Sequence, residues 1–148
     1  MEPIAHTHLS NMKQVLQYQT STRFFKEFST RTYCNENILF FLDAENYQSL
    51  PGTDYMIRTA VKIVRKYIQE KAQLQINISS KTREEILKKV LGEASRTIFK
   101  KAQDEIFRLM ETDALPKFIS SPEYEKMMQC VGVGAPRPGT LNGVQPFD

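Results

Sequence analysis

The residues of this chain that could do chemistry are few and poorly placed for it. His6 and His8, the only histidines, stand two apart and could grip a metal, but no third ligand is near and a mobile tail is the simpler reading. No serine or cysteine has a recognisable base, and the phosphate-cradling patterns GxGxxG and GxxxxGK(S/T) and the zinc pattern HExxH are absent. Glu84 with Glu85 and Asp43 with Glu45 could do acid–base work, yet both pairs fall on helical stretches where solvated or capping roles are commoner. Cys34 and Cys130 have neither a framework count nor a CxxC spacing, so reduced thiols in an intracellular protein are expected. No cofactor and no metal are expected, and an enzyme with its own active site is disfavoured. What remains is a set of side chains beside helix ends: Tyr33, Glu36, Asn37, Asn77, Ser79, Leu109, Asp113 and Lys117.

Length and composition frame those residues. The 148 residues suffice for one domain with a real core, expected over 10–130 between a flexible tail at 1–9 and a Gly- and Pro-rich tail or linker at 131–148. A net charge of +3, from 20 basic and 17 acidic residues, is too balanced to point to nucleic acid. No apolar run approaches the ~18 residues of a membrane span, so membrane contact is expected only indirectly or through other regions. No signal-peptide core stands at the start, so the chain is expected to begin near Met1 or to be a fragment of something larger.

The stretch that organises the chain is Tyr33-Cys34-Asn35-Glu36-Asn37-Ile38-Leu39-Phe40-Phe41-Leu42, a polar doorway opening into five large apolar residues. Asn35 can cap a helix, Glu36 is an acid in its first turn, and Asp43-Ala44-Glu45 extend it, which predicts a central helix over about 35–48, buried all round. Five apolar residues could also form a core strand, but the flanking segments are helical by period. Upstream, Met12, Val15, Leu16 and Tyr18 predict a short helix, and Ser21 or Thr22 starts a second that takes Phe24, Phe25 and Phe28 into the core.

Downstream, Leu50-Pro51-Gly52 breaks the chain and Thr53 or Asp54 caps the clearest helix. Ala60, Ile63, Val64, Tyr67 and Ile68 trace one stripe over about 54–71, roughly 27 Å at 1.5 Å per residue. Lys62, Arg65, Lys66 and Lys71 lie mostly off it, as a solvated face does; an anionic-lipid patch is the rarer meaning. Residues 72–79 alternate, with Leu74, Ile76 and Ile78 apolar, which predicts an extended segment holding Asn77 outward. Ser79 or Ser80 caps a helix over about 80–91 ended by Gly92, and a second long helix follows over about 95–111. Asp113-Ala114-Leu115-Pro116 interrupts, Phe118 and Ile119 make a short turn, and Ser121-Pro122-Glu123 opens a last helix to about 129.

If the four principal helices alternate up and down, the start of the first, the 72–79 connection and the 111–117 break share one end. That end would collect Tyr33, Glu36, Asn37, Asn77, Ser79, Asp113 and Lys117 beside Leu109, which suits an interaction patch better than an active site. The plainer alternative is that helix ends carry such residues for capping.

The order Phe25-x-x-Phe28, Asn35-Glu36-Asn37-Ile38-x-Phe40-Phe41, Glu45-x-Tyr47, Ile76-Asn77-Ile78, Thr82-Arg83-Glu84, Phe99-x-x-Ala102-Gln103, Leu109-Met110-Glu111-x-Asp113 and Phe118 resembles the regulator of G-protein signalling (RGS) domain from about residue 10 to 130. The resemblance implies an all-α array of about nine helices including an antiparallel four-helix bundle. It also implies a GTPase-activating protein that binds the α subunit of a heterotrimeric G protein in its GTP-bound or transition-state form. Such a protein would be cytoplasmic and recruited to the inner face of the plasma membrane. By the same resemblance Glu36 and Asn37 match a contact pair, Asn77 the asparagine that reaches the α subunit's water-orienting glutamine, and Leu109, Asp113 and Lys117 a third contact stretch. The family usually has Asp at Ser79, Ser at Ala114, Arg at Lys117, an acid near Thr32 and Trp at Phe41, so weaker or selective activity is expected. Two other readings stand beside it: an RGS-homology interaction module without GTPase acceleration, and a helical scaffold or oligomerisation domain.

Overall fold

In the computed structural model of the chain, residues 9–130 are described, and all regular structure among them is helical. The α-helices are α1 Met12–Gln17, α2 Gln19–Arg31, α3 Glu36–Gln48, α4 Thr53–Ile63, α5 Ser80–Leu91, α6 Lys100–Leu109, α7 Leu115–Ile119 and α8 Pro122–Gln129. Two π-helical segments, Val64–Ile68 and Met110–Ala114, prolong α4 and α6. The all-α expectation holds, with slightly fewer helices among the described residues than the nine expected. The expected tails, with His6 and His8, lie outside the described residues except for Leu9, which is buried and not part of a flexible tail. No described helix is long and apolar enough to cross a membrane.

The helices divide into two compact units. One spans Glu36–Arg108 and closes a ring of four helices. The Phe40 ring meets Tyr67 at 5.5 Å, α4 packs on α3 and α5, and Lys101 on α6 pairs with Glu85 on α5 at 3.5 Å. Gln103 of α6 returns to α3, donating to the Phe41 carbonyl at 3.1 Å. Early residues of α3 meet late ones of α6 (Phe41 with Phe107), and Tyr47 near the end of α3 meets Phe99 just before α6. The neighbours are therefore antiparallel, the arrangement short connections favour. Of the 13 residues of α3 only Asn46 is exposed, close to the all-round burial expected.

The other unit joins residues 9–35 to 109–130. Its centre is an aromatic cluster in which Phe118 stands edge-on to Phe25 at 5.2 Å and to Tyr124 at 5.3 Å, with Phe28 at 5.5 Å. A forked ion pair from Arg31 to Glu123, at 2.7 and 2.9 Å, ties α2 to α8. Ser121 caps α8 through a bond from the Tyr124 amide, with Pro122 in the first turn where no N–H is needed, as expected.

Several expected boundaries move, each because a more distant group takes a backbone partner. Ser21 and Thr22 do not start α2, which begins at Gln19; both hydroxyls donate to the Val15 carbonyl, at 2.6 and 3.0 Å, closing the end of α1. Gly52, not Thr53 or Asp54, occupies the cap position of α4, and no side chain caps it. The helix expected over 95–111 starts only at Lys100. Before it, Arg96 donates to the carbonyls of Gln48 and Leu50 and Ser95 accepts from the Tyr47 hydroxyl at 2.7 Å, so this segment locks the end of α3 instead. Finally, Asp113-Ala114-Leu115-Pro116 does not break the chain: the widened π turn runs directly into α7 with Pro116 in its first turn.

Candidate interaction site

Asn77 sits in an extended stretch that the four-helix unit holds from both sides. The last carbonyls of a helix have no partner within it, and here the π segment turns those of Lys66, Tyr67 and Ile68 to use. Lys66 accepts from the Leu74 amide at 3.2 Å and Tyr67 from the Ile76 amide at 3.0 Å. Arg83 of α5 bridges the rest, donating through Nε to the Ile68 carbonyl and through Nη2 to the Ile76 carbonyl, both at 2.8 Å. Ile76 and Ile78 are buried and Asn77 is exposed, so the expected alternation holds around it. Leu74 is only half-buried.

Ser79 follows as the cap of α5, accepting from the Thr82 amide at 3.2 Å. Its own amide donates to Glu105 Oε1 of α6 at 2.8 Å, and its hydroxyl lies 2.9 Å from Thr82 Oγ1 and 3.4 Å from Glu105 Oε2. The Thr82 hydroxyl makes a further short bond to Glu105 Oε2. Burial pushes the Glu105 carboxyl up, but the bonds from Thr82 and Ser79 and the nearby Lys101 outweigh it and leave the group below the usual carboxylate range. Glu105 is therefore ionised at neutral pH.

Glu36 and Asn37 occupy the first turn of α3, half-buried. Asn37 Oδ1 is buried without a hydrogen-bond partner among the described residues, whereas buried polar atoms are as a rule paired. Phe40 lies on Tyr67 and Phe41 on Phe107, so the first turns of α3, the Asn77 stretch, the Ser79 cap and the late residues of α6 share one end of this unit. Glu36, Asn37, Asn77 and Ser79 are thus brought to one end of the four-helix unit.

Tyr33, Leu109, Asp113 and Lys117 belong to the other unit. Leu109 closes α6 and is half-buried; Asp113 and Lys117 are exposed and pair at 3.3 Å, one turn apart. Tyr33 is 94 % exposed with φ 59°, left-handed backbone that an L side chain rarely adopts. The cause is the end of α2: Tyr33 and Cys34 amides reach back to the carbonyls of Thr30 at 3.2 Å and Ser29 at 2.8 Å, a paired closure normally made with glycine. Tyr33→Gly is expected to raise stability by about 0.5–1 kcal/mol, after the extra chain entropy of glycine is deducted. A urea midpoint that does not rise would show that no strain resides there.

Two of the carboxylates considered for acid–base work, Asp43 and Glu85, have structural partners instead. Asp43 accepts from the Tyr67 hydroxyl at 2.6 Å and pairs with Lys66 at 3.7 Å, and Glu85 pairs with Lys101. Among the described residues no three His, Cys, Asp or Glu side chains are placed to hold a metal, and both cysteines are free thiols. Arg83 and Glu105 were not legible as site residues. Arg83 stands four residues past the Ser79 cap and Glu105 borders the buried stripe of α6 made by Ala102 and Ile106, signals that only a known packing partner would interpret.

Comparison with known proteins adds a second line of observation. The family model described as Regulator of G protein signaling domain matches residues 11–127. Regulator of G-protein signaling 10 of Rattus norvegicus is 30% identical over 117 residues, covering 79% of this chain and 64% of the relative. Regulator of G-protein signaling 5 of Sus scrofa is 33% identical over 119 residues, covering 80% and 65%. The chain therefore spans a little under two thirds of the length of these curated relatives.

Proposed function

We propose a function from one premise: the chain belongs to the Regulator of G protein signaling domain family, matched over residues 11–127. It binds the α subunit of a heterotrimeric G protein in its GTP-loaded or transition-state form and speeds hydrolysis of the bound GTP, ending the signal. It acts in the cytoplasm, at the inner face of the plasma membrane when engaged. The observation that supports this reading best is the anchored Asn77, an exposed amide whose flanking backbone is held by Arg83 and Glu105 at the end of the bundle where Glu36 and Asn37 start α3.

No group of this chain needs to take part in bond breaking. A G-protein α subunit carries its own arginine and a glutamine that orients the attacking water, and turns over at about 10⁻² s⁻¹. A partner that prefers the aligned arrangement over the relaxed one lowers the barrier by the difference in binding, and a 100-fold acceleration needs about 2.7 kcal/mol. An amide able to donate and accept, carried on backbone held on both sides, suits that task, because the cost of ordering that backbone is met before the partner arrives. Glu36, Asn37 and Ser79 complete the proposed contacts on the four-helix unit, and Tyr33, Leu109, Asp113 and Lys117 are proposed contacts carried by the other unit.

Single-turnover GTP hydrolysis by a panel of α subunits, with and without the chain, tests the proposal. Acceleration of at least one is expected. Binding without acceleration across the panel would establish the second reading, an interaction module, which the replacements at Ser79, Ala114 and Lys117 favour. Lysine at 117 lacks the planar fork of the arginine that the resemblance implies.

A further inference from the structure

We propose that Glu105 is a positioning residue that sets the aim of Asn77 by holding the Ser79 backbone from a neighbouring helix. The inference deepens the proposed function and rests on it. In the usual capping box the third residue of a helix sends a Glu or Gln side chain back to the amide of the cap residue. Here that third residue is Thr82, whose side chain is too short to do so. Glu105, 26 residues away on α6, takes the Ser79 amide instead at 2.8 Å, while its second oxygen receives the Thr82 hydroxyl. One carboxylate thus completes the cap of α5 and fastens it to α6 two residues after Asn77.

The other flank of Asn77 is held independently, by Arg83 on the Ile76 carbonyl at 2.8 Å. With Ile76 and Ile78 buried, the backbone on both sides of the amide is anchored, and only Glu105 ties its C-terminal side to another helix through a charged bond. Bonds in which one partner is ionised are about twice as strong as neutral ones, so Glu105 is a strong anchor on the C-terminal side of Asn77 as Arg83 is on the N-terminal side. The geometry also explains why an uncharged residue stands at 79. Ser79 Oγ lies 3.4 Å from Glu105 Oε2, and an aspartate there would set two carboxylates against each other.

The test uses the full chain with Glu105→Met, which keeps the volume and removes both acceptors, Glu105→Gln, which keeps an acceptor for the Ser79 amide, and Ser79→Asp. Three quantities are read: hydrogen exchange of the Ser79 amide in the free chain, single-turnover acceleration, and the ratio of affinities for an α subunit bearing GDP with aluminium fluoride and one bearing a non-hydrolysable GTP analogue. Glu105→Met is expected to speed Ser79 exchange tenfold or more and to lower both acceleration and the affinity ratio about tenfold, a change of about 1.4 kcal/mol. Glu105→Gln should stay within about threefold of the parent, and Ser79→Asp should lose acceleration. A merely structural role would lower the two affinities together and leave their ratio alone, which overturns the inference. So does an unchanged exchange rate, or undiminished acceleration by Ser79→Asp should Glu105→Met fail to fold. If the parent chain accelerates no α subunit, the proposed function falls and takes the inference with it; acceleration by the parent that Glu105→Met retains sinks the inference alone.

Discussion

Asn77→Ala is expected to cut the acceleration of GTP hydrolysis about tenfold or more while leaving helical content and the unfolding midpoint in place. The two halves of that expectation have separate causes. Structurally the side chain is exposed, and the stretch that carries it is held by backbone groups and by Ile76, Ile78, Arg83 and Glu105, all of which the substitution leaves intact. Surface changes of that kind usually shift stability by no more than about 0.5 kcal/mol. Functionally, an amide that contacts the partner mainly in its reactive arrangement contributes to the barrier and little to ground-state affinity. Losing one or two such hydrogen bonds, at about 0.5–1.5 kcal/mol each, corresponds to roughly a tenfold loss of rate. Circular dichroism, urea unfolding and single-turnover hydrolysis together decide the matter. Full acceleration by the variant would remove Asn77 from the mechanism, and a lowered midpoint would place it in the fold instead.

Phe118→Ala is expected to cost about 3–5 kcal/mol of stability, the range for deleting a buried aromatic ring. Phe118 has no exposed surface and is the ring on which Phe25, Phe28 and Tyr124 converge, two of them edge-on. Aromatic pairs of that geometry add about 0.5–1.5 kcal/mol beyond the area they bury. Domains have only about 5–15 kcal/mol in total, so the thermal midpoint should fall by roughly 10 °C or more. The neighbouring Ile119, 38 % exposed, supplies the control: Ile119→Ala should be nearly neutral. A Phe118→Ala loss below about 1 kcal/mol would contradict the packing of this cluster.

The sequence made much of this readable because the signals involved are local. An apolar stripe every three to four residues declares a helix within a window of about a dozen positions, and α1, α3, α5 and α8 stand close to where periodicity and caps place them. Asn77 was readable for the same reason: alternation around it requires only that Ile76 and Ile78 turn inward. The boundaries that failed share the opposite property. Ser21 and Thr22 look like helix starters, and nothing near them reveals that the Val15 carbonyl will claim both hydroxyls. The periodic run from Ile98 gives no sign that Arg96 will be drawn to carbonyls at 48 and 50 and delay α6 to Lys100. The interruption expected at Asp113–Pro116 does not occur, because a widened turn runs directly into α7 with Pro116 in its first turn.

By itself the sequence determined the helical class, most of the residues that turn inward, and the family, whose spaced pattern is a property of order along the chain. Only the tertiary structure decided which groups hold the candidate site: Glu105 on the Ser79 amide 26 residues away, Gln103 on the Phe41 carbonyl 62 residues away, and the end of α4 opened so that its last carbonyls receive the stretch bearing Asn77. The reason is physical. A hydrogen bond between distant residues exists only once packing has brought two helices together, so its partners carry no mark that can be read from their neighbours in the chain.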